Sequence, residues 1–146
     1  MKLHFVCTGN IYRSRMAEAY FNSLRSEEWS ATSSGIAASK NSNGSTWWGT
    51  KVVLENHGIG SYMSVTWKET TKKILEESNC IVFMQPAHYQ FCKQRFAPVL
   101  QRFVIWDIED FNPAKYNRQE ILSISEATFQ NITQHINTLL PSFVVH

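Results

Sequence analysis

Residues 3–24, "LHFVCTGNIYRSRMAEAYFNSL", decide the fold. The first five, 3–7, are mostly aromatic or aliphatic and run into a turn containing Gly9, which predicts a short buried strand. From Ser14 the period changes. Met16, Ala17, Tyr20, Phe21 and Leu24 recur at steps of three and four, giving a helix with one apolar face. A strand therefore feeds a helix through a short connection. That connection, 7–14, holds a thiol, a glycine, an asparagine, an arginine and a serine.

The same alternation continues outward. Residues 29–35 predict a weak second strand closed by Gly35, followed by a small, polar loop over 36–46. A helix is expected over 46–56, stopped at "HGIG" (57–60), where Gly58 suits a left-handed C-terminal position. A Lys- and Glu-rich helix is expected over 66–77. The continuous apolar run 80–84, "CIVFM", reads as a strand covered on both faces. Pro86 opens a helix through Phe96, and "RFVIW" (102–106) is the last strand. After the loop 107–118, Ser123 with Glu126 predicts a capping box that starts the final helix. Ile132, Ile136, Leu139 and Leu140 form its buried stripe.

Four strands alternating with helices imply one α/β domain over 1–146, a parallel sheet with helices on both faces and right-handed crossovers. Ligands of such folds sit beyond the carboxyl ends of the strands. Connection 7–14 lies at that edge. Asp107, Glu109 and Asp110, which follow the last strand, should emerge there too.

The bulk numbers exclude several classes. A chain of 146 residues, 43% hydrophobic, can bury a core without a metal or disulfide staple. A net charge of +2 is too small to indicate nucleic acid. Three cysteines, Cys7, Cys80 and Cys92, without a CxxC pair, argue against a disulfide framework and a zinc site. No apolar run approaches a membrane span, and the first residues do not form a secretory leader, so a cytoplasmic protein, monomeric or weakly dimeric, is expected. The sequons at Asn43 and Asn131 then read as chance matches.

The connection itself suits one chemistry. A loop entering a helix turns several N–H groups toward one point, and the positive helix end favours a dianion. Gly9 permits close backbone approach, Asn10 tolerates left-handed geometry, and Arg13 presents a planar fork matched to two phosphate oxygens. A cysteine in such surroundings has its pKa lowered from about 8.5 to roughly 4–7. Ser14 can donate a further bond to the sulfur. A thiolate beside a bound phosphate is a nucleophile aimed at phosphorus.

These residues carry a resemblance. "VCTGNIYRSRMAE" (6–18) is similar to the C-x5-R-S signature of the low-molecular-weight protein tyrosine phosphatases, usually close to VCxGNICRSPMAE. "SSGI" (33–36), "HGI" (57–59), "CIVFM" (80–84) and "IEDF" (108–111) resemble further family segments. The resemblance implies a flavodoxin-like four-stranded sheet in the order 2-1-3-4. It implies a phosphatase of phosphotyrosine proteins or small aryl phosphates that needs no cofactor and no metal. Thr8, Gly9, Asn10, Ile11, Tyr12, Arg13 and Ser14 would bind the phosphate. Cys7 would be the nucleophile, Arg13 would hold the transition state, and Ser14 would lower the sulfur's basicity. Asn10 would shape the loop with support from Ser33, and Asp110 would act as general acid and base.

The chain also departs from the family pattern. The family's second loop cysteine is Tyr12 here, and its proline after R-S is Arg15. Two readings stand for Arg15: added charge at the mouth that favours acidic substrates, or a solvated first-turn cation. The family aspartate after I-x-x-M is Gln85. The wall aromatic after S-A-G falls near Ser39 or Lys40, which leaves Phe111 as the one expected rim aromatic. For Trp47 and Trp48 the reading is helix core or surface, with a pocket wall as the alternative. Cys80 and Cys92 read as structural, Asp107 and Glu109 as loop solvation or local turn bonding, and His57 as a helix end. His4 and His88 have no evident partner, and Lys68, Lys72 and Lys73 read as a solvated helix face. Rival functions are an arsenate reductase, which needs two further closely spaced cysteines, a phosphoarginine phosphatase, whose loop favours threonine where Ile11 stands, and a non-catalytic phosphate-binding module.

Overall fold

The computed structural model describes residues 1–143. Strand β1 (Lys2–Cys7) is central. It pairs in parallel with β2 (Ser30–Gly35) on one side and β3 (Cys80–Phe83) on the other, and β3 pairs with β4 (Phe103–Ile105). All pairs are parallel, as the alternation predicts, and the order is β2-β1-β3-β4, as the family resemblance implies. Between the strands lie α1 (Arg13–Ser23), α2 (Trp48–Asn56), α3 (Lys72–Glu77), α4 (Pro86–Phe96) and, last, α5 (Arg118–Leu139).

The period of two along the strands divides the core. Leu3, Phe5 and Cys7 of β1 and Cys80 and Val82 of β3 face one side, with Met16 and Phe21 of α1 and Ile132 and Ile136 of α5. Val6, Ile81 and Phe83 face the other, with Leu75 of α3 and Cys92 of α4. A sheet clad on both faces explains why 80–84 is continuously apolar. Cys80 and Cys92 are buried in these two layers, as read. Leu24, expected on the apolar face of α1, is 42% exposed because the helix ends at Ser23.

The starts of α5, α3 and α2 differ from expectation. The last helix begins at Arg118, not near Ser123. Asn117 Oδ1 accepts from the Glu120 N–H (2.8 Å), and Glu120 Oε1 accepts from the Asn117 N–H (3.0 Å), so this earlier capping box prevails. Ser123 lies inside the helix, and Glu126 pairs instead with His57 at the end of α2 (2.5 Å). The helix expected over 66–77 covers only Lys72–Glu77. Residues 68–70 run extended along the end of β2, with Gly35 N–H donating to Lys68 O and Thr70 N–H to Gly35 O (both 2.9 Å). Lys68 therefore lies on no helix. α2 starts at Trp48 because Trp47 is extended as its N-cap.

Candidate active site

The carboxyl ends of β1 and β2 and the loop after β4 meet at one edge of the sheet, as the topology requires. Cys7 ends β1 and Arg13 begins α1, so residues 8–12 must turn within five positions. Asn10 makes the turn possible with φ +55°, the left-handed region that asparagine tolerates. Its backbone N–H donates to Cys7 Sγ (3.3 Å), and its side-chain amide donates to Ser14 Oγ (2.7 Å) and Ser33 Oγ (2.9 Å). Its Oδ1 accepts from the Lys68 N–H (2.8 Å). The displaced segment 68–70 thus braces the loop, which the sequence pattern did not indicate.

Ser14 Oγ lies 2.9 Å from Cys7 Sγ. An ionised sulfur can only accept, so Ser14 is the donor in that state. From below, Ile36 N–H donates to Cys7 O and Ala37 N–H to Thr8 O (both 2.9 Å). Gly35 lets these backbones meet: a Cβ there would stand 2.5 Å from Thr8 O and 2.8 Å from Asn10 N.

Arg13 is buried, and its fork is aimed. Nη1 donates to Gln85 Oε1 (2.5 Å) and to the Ile108 carbonyl (2.8 Å). Nη2 reaches Thr8 Oγ1 (3.3 Å) and stands 3.6 Å from Asp110 Oδ2. Asp110 is half exposed and faces the same cavity. Gln85, read only as a departure from a family pattern, orients the arginine.

His88, expected to lack a partner, has two. The Gln85 N–H donates to Nδ1 (3.1 Å), which leaves the ring proton on Nε2, donating to Thr8 Oγ1 (2.9 Å). Burial, with the Arg13 charge second, pulls His88 down to about 4, so the ring stays neutral. His4 is also partnered, by Thr32 Oγ1 and Ser34 Oγ at 2.7 Å each.

A cavity of about 350 Å³ opens over Cys7, Thr8, Gly9 and Arg13. Its aromatic side is richer than expected. Tyr12, Trp47 and Phe111 all line it, edge to face, with Tyr12 5.2 Å from Trp47 and 5.6 Å from Phe111 between ring centroids. Trp47 is therefore a wall, while Trp48 lies outward under Arg118, 4.6 Å away. Lys40, Asn41 and Asn43 also line the cavity. Tyr12 points its hydroxyl away from the cavity toward Ser125 and Thr128 of α5. Burial pushes that phenol up to about 12, and among the described residues its hydroxyl makes no hydrogen bond.

Arg15 matches neither of its two readings. It is fully buried beneath the loop beside Glu18, because the first turn of α1 faces the core rather than the mouth. Ile11 lines the cavity, and its carbonyl accepts from Thr50 Oγ1 (2.6 Å). Asp107 and Glu109 stay outside the cavity, as read.

Comparison with known proteins agrees with this arrangement. A family model described as low molecular weight phosphotyrosine protein phosphatase matches residues 2–145. The protein-arginine-phosphatase of Bacillus subtilis (strain 168) is 31% identical over 99 residues; the match covers 66% of this chain and 63% of that relative's length. The low molecular weight protein tyrosine phosphatase of T. tengcongensis superposes with a TM-score of 0.81 at 23% identity, over 98% of this chain and 99% of that one. A YwlE mutant from Bacillus subtilis superposes at 0.75 and 23% identity, over 92% of both chains. Wzb of Vibrio vulnificus, solved with benzylphosphonate, superposes at 0.73 and 18% identity, over 92% of this chain and 94% of that one. With a family match that spans nearly every residue, the chain belongs to the low molecular weight phosphotyrosine protein phosphatase family.

Proposed function

We propose that the chain, acting as a single phosphatase domain over 1–146, hydrolyses phosphotyrosine or similar aryl phosphates through a phosphocysteine intermediate. One observation carries the reading. Cys7 Sγ lies at the floor of a cavity with Ser14 Oγ at 2.9 Å and the Asn10 N–H at 3.3 Å, and Arg13 and Asp110 stand together above it.

In the first step Cys7 sulfur attacks phosphorus. The S–P bond forms, the P–O bond to the leaving group breaks, and Asp110 gives that oxygen its proton. Arg13 and the backbone N–H groups of 8–14 hold the three equatorial oxygens, and charge stabilisation of this kind supplies the largest part of the barrier reduction. In the second step Asp110 takes a proton from water as it attacks phosphorus, and the sulfur leaves with Ser14 donating to it. Gln85 and the Ile108 carbonyl keep the Arg13 fork in plane. The His88 proton and one from Arg13 both meet Thr8 Oγ1, which leaves the Thr8 hydroxyl proton for a phosphate oxygen.

Phosphoarginine is the second reading, favoured by the relative that is named an arginine phosphatase. The three rings at the wall favour a flat aryl group, and Ile11 offers no hydroxyl to a guanidinium. Side-by-side hydrolysis of phosphotyrosine and phosphoarginine peptides decides between them. A higher kcat/KM for phosphotyrosine supports the proposal, and the reverse order overturns its substrate class. Cys7→Ala should abolish either activity, and its retention would overturn the enzyme reading. Asp110→Asn should slow alkyl esters more than aryl esters, since phenolates leave with less need of a proton, and a uniform loss would contradict the acid role.

A further inference from the structure

Arg15 joins three segments that are distant in sequence. Nη1 donates to the Asn10 carbonyl (3.1 Å) and to the Ser45 carbonyl (2.9 Å). Nη2 donates to Thr46 Oγ1 (2.6 Å) and to the Ser64 carbonyl. Among the described residues Nε makes no hydrogen bond, and it faces Glu18 Oε1 at 3.8 Å. Glu18 is buried as well. It accepts from the Ser64 N–H (2.9 Å) and Ser64 hydroxyl (2.6 Å), and from Ser33 Oγ (3.2 Å). Two buried ions persist when they face each other and most of their hydrogen-bonding sites are occupied, as both Nη atoms of Arg15 are here, so the pair holds a defined geometry.

The places it ties down are the two halves of the cavity. Asn10 is the left-handed residue whose N–H touches the Cys7 sulfur. Ser45 and Thr46 lead directly into Trp47, the aromatic wall. The Trp47 ring is also fixed from behind, folded over Gly49 so closely that a Cβ there would lie 2.5 Å from it. Its edges meet Tyr12 and Phe111 (5.2 and 5.8 Å between centroids). Nothing in this arrangement places Arg15 itself in contact with a substrate.

We propose that Arg15 is a positioning and specificity-determining residue. With Glu18 it locks the phosphate loop at Asn10 to the segment that carries Trp47. The wall then stands at a fixed height over Cys7, and phosphoryl compounds bearing a ring are selected over those without one. The inference rests on the reading of 7–14 as a phosphate site. A lysine cannot substitute, because one ammonium has no planar fork to span acceptors from three segments.

The test is binding of two non-hydrolysable probes, phenylphosphonate and methylphosphonate, measured by calorimetry on the full chain. Wild type should bind the phenyl compound more tightly. Arg15→Lys keeps the charge beside Glu18 but loses most of the tethers. Its affinity for phenylphosphonate should fall about tenfold, while methylphosphonate changes less than about threefold. Should Arg15→Lys fold poorly, the double change Arg15→Met with Glu18→Gln removes both buried charges and should show the same split. An equal fall for both probes, as a general loosening of the loop would give, overturns the proposal. So does an unchanged ratio, or a wild type with no preference for the ring. Because neither probe turns over, a loss of selectivity in a protein without phosphatase activity would uphold this inference and refute the functional one.

Discussion

At the scale of single residues, the sulfur of Cys7 has hydroxyl and amide neighbours but no second thiol. In the register of β1 with β3, Cys80 lies opposite Leu3, four residues down the strand. At about 3.3 Å per residue that is roughly 13 Å from Cys7, beyond the roughly 7 Å between Cα atoms that a disulfide can span. Cys92 is buried in the layer across the sheet. Tyr12 fills the loop position of the family's second cysteine and turns its hydroxyl toward α5. A sulfenic acid at Cys7 would therefore find no internal thiol to cap it before further oxidation. Limited peroxide should abolish aryl phosphate hydrolysis, and dithiothreitol should restore less than about half of it. Full recovery would contradict this. The buried cysteines also remove the relay that an arsenate reductase requires.

The grouping of the candidate site residues was legible at this scale because the chain writes them close together. Cys7, Asn10, Arg13 and Ser14 belong to one connection, so residue type and spacing suffice. Gln85, His88 and Arg15 were not legible, since each acts through partners from 30 to 80 positions away. Arg15 shows the cause plainly. An arginine in a first helical turn is solvated by default, and only the packing of 45–46 and 64 over it makes a buried clamp.

At the scale of elements, the site depends on how closely β2 approaches the loop. Gly35 ends β2, and a methyl there would press on Thr8 O, Asn10 N and Gly9 C at 2.5–2.9 Å, all of them backbone atoms that cannot turn aside. Gly35→Ala should therefore lower kcat/KM for an aryl phosphate at least about tenfold, with helix and strand content by circular dichroism unchanged. Gly44, with φ +80° and open space around it, serves as the control for backbone strain without a clash. Full activity in Gly35→Ala would refute the close approach. The element boundaries explain two misreadings. Residues 66–71 carry helix-forming Lys and Glu, but the free edge of β2 recruits 68–70 into backbone bonding with Gly35. Ser123 and Glu126 do match a capping box, yet Asn117 and Glu120 match one six residues earlier, and the longer helix buries Ile121 as well.

At the scale of the whole molecule, the parallel sheet and the two-sided core were legible from period and alternation, whereas the strand order came from the family resemblance. The buried polar groups within that core were not. His4 lies in the central strand with both ring nitrogens bonded, and Ser34 continues the chain to Thr70 (2.6 Å). Burial lowers His4 to about 3 and His88 to about 4 from an ordinary 6.5. The unfolded chain therefore binds more protons than the native one as pH falls below 6.5. The stability of the neutral rings is fully present above that value and is lost on descent toward pH 4 and 3. Each histidine removes about 1.4 kcal/mol per pH unit in that range. Urea midpoints should thus fall steeply between pH 6 and 4.5, and His4→Gln should flatten the slope of its part. A slope unchanged by that substitution would contradict the assignment.

The central claim is that sulfur 7 takes the phosphoryl group. Wild type mixed with an excess of p-nitrophenyl phosphate, quenched within a turnover and digested, should yield a peptide containing Cys7 heavier by one phosphoryl group, and Cys7→Ala should yield neither that peptide nor p-nitrophenolate. Turnover without that adduct, or the phosphoryl group on any other residue, would contradict the account.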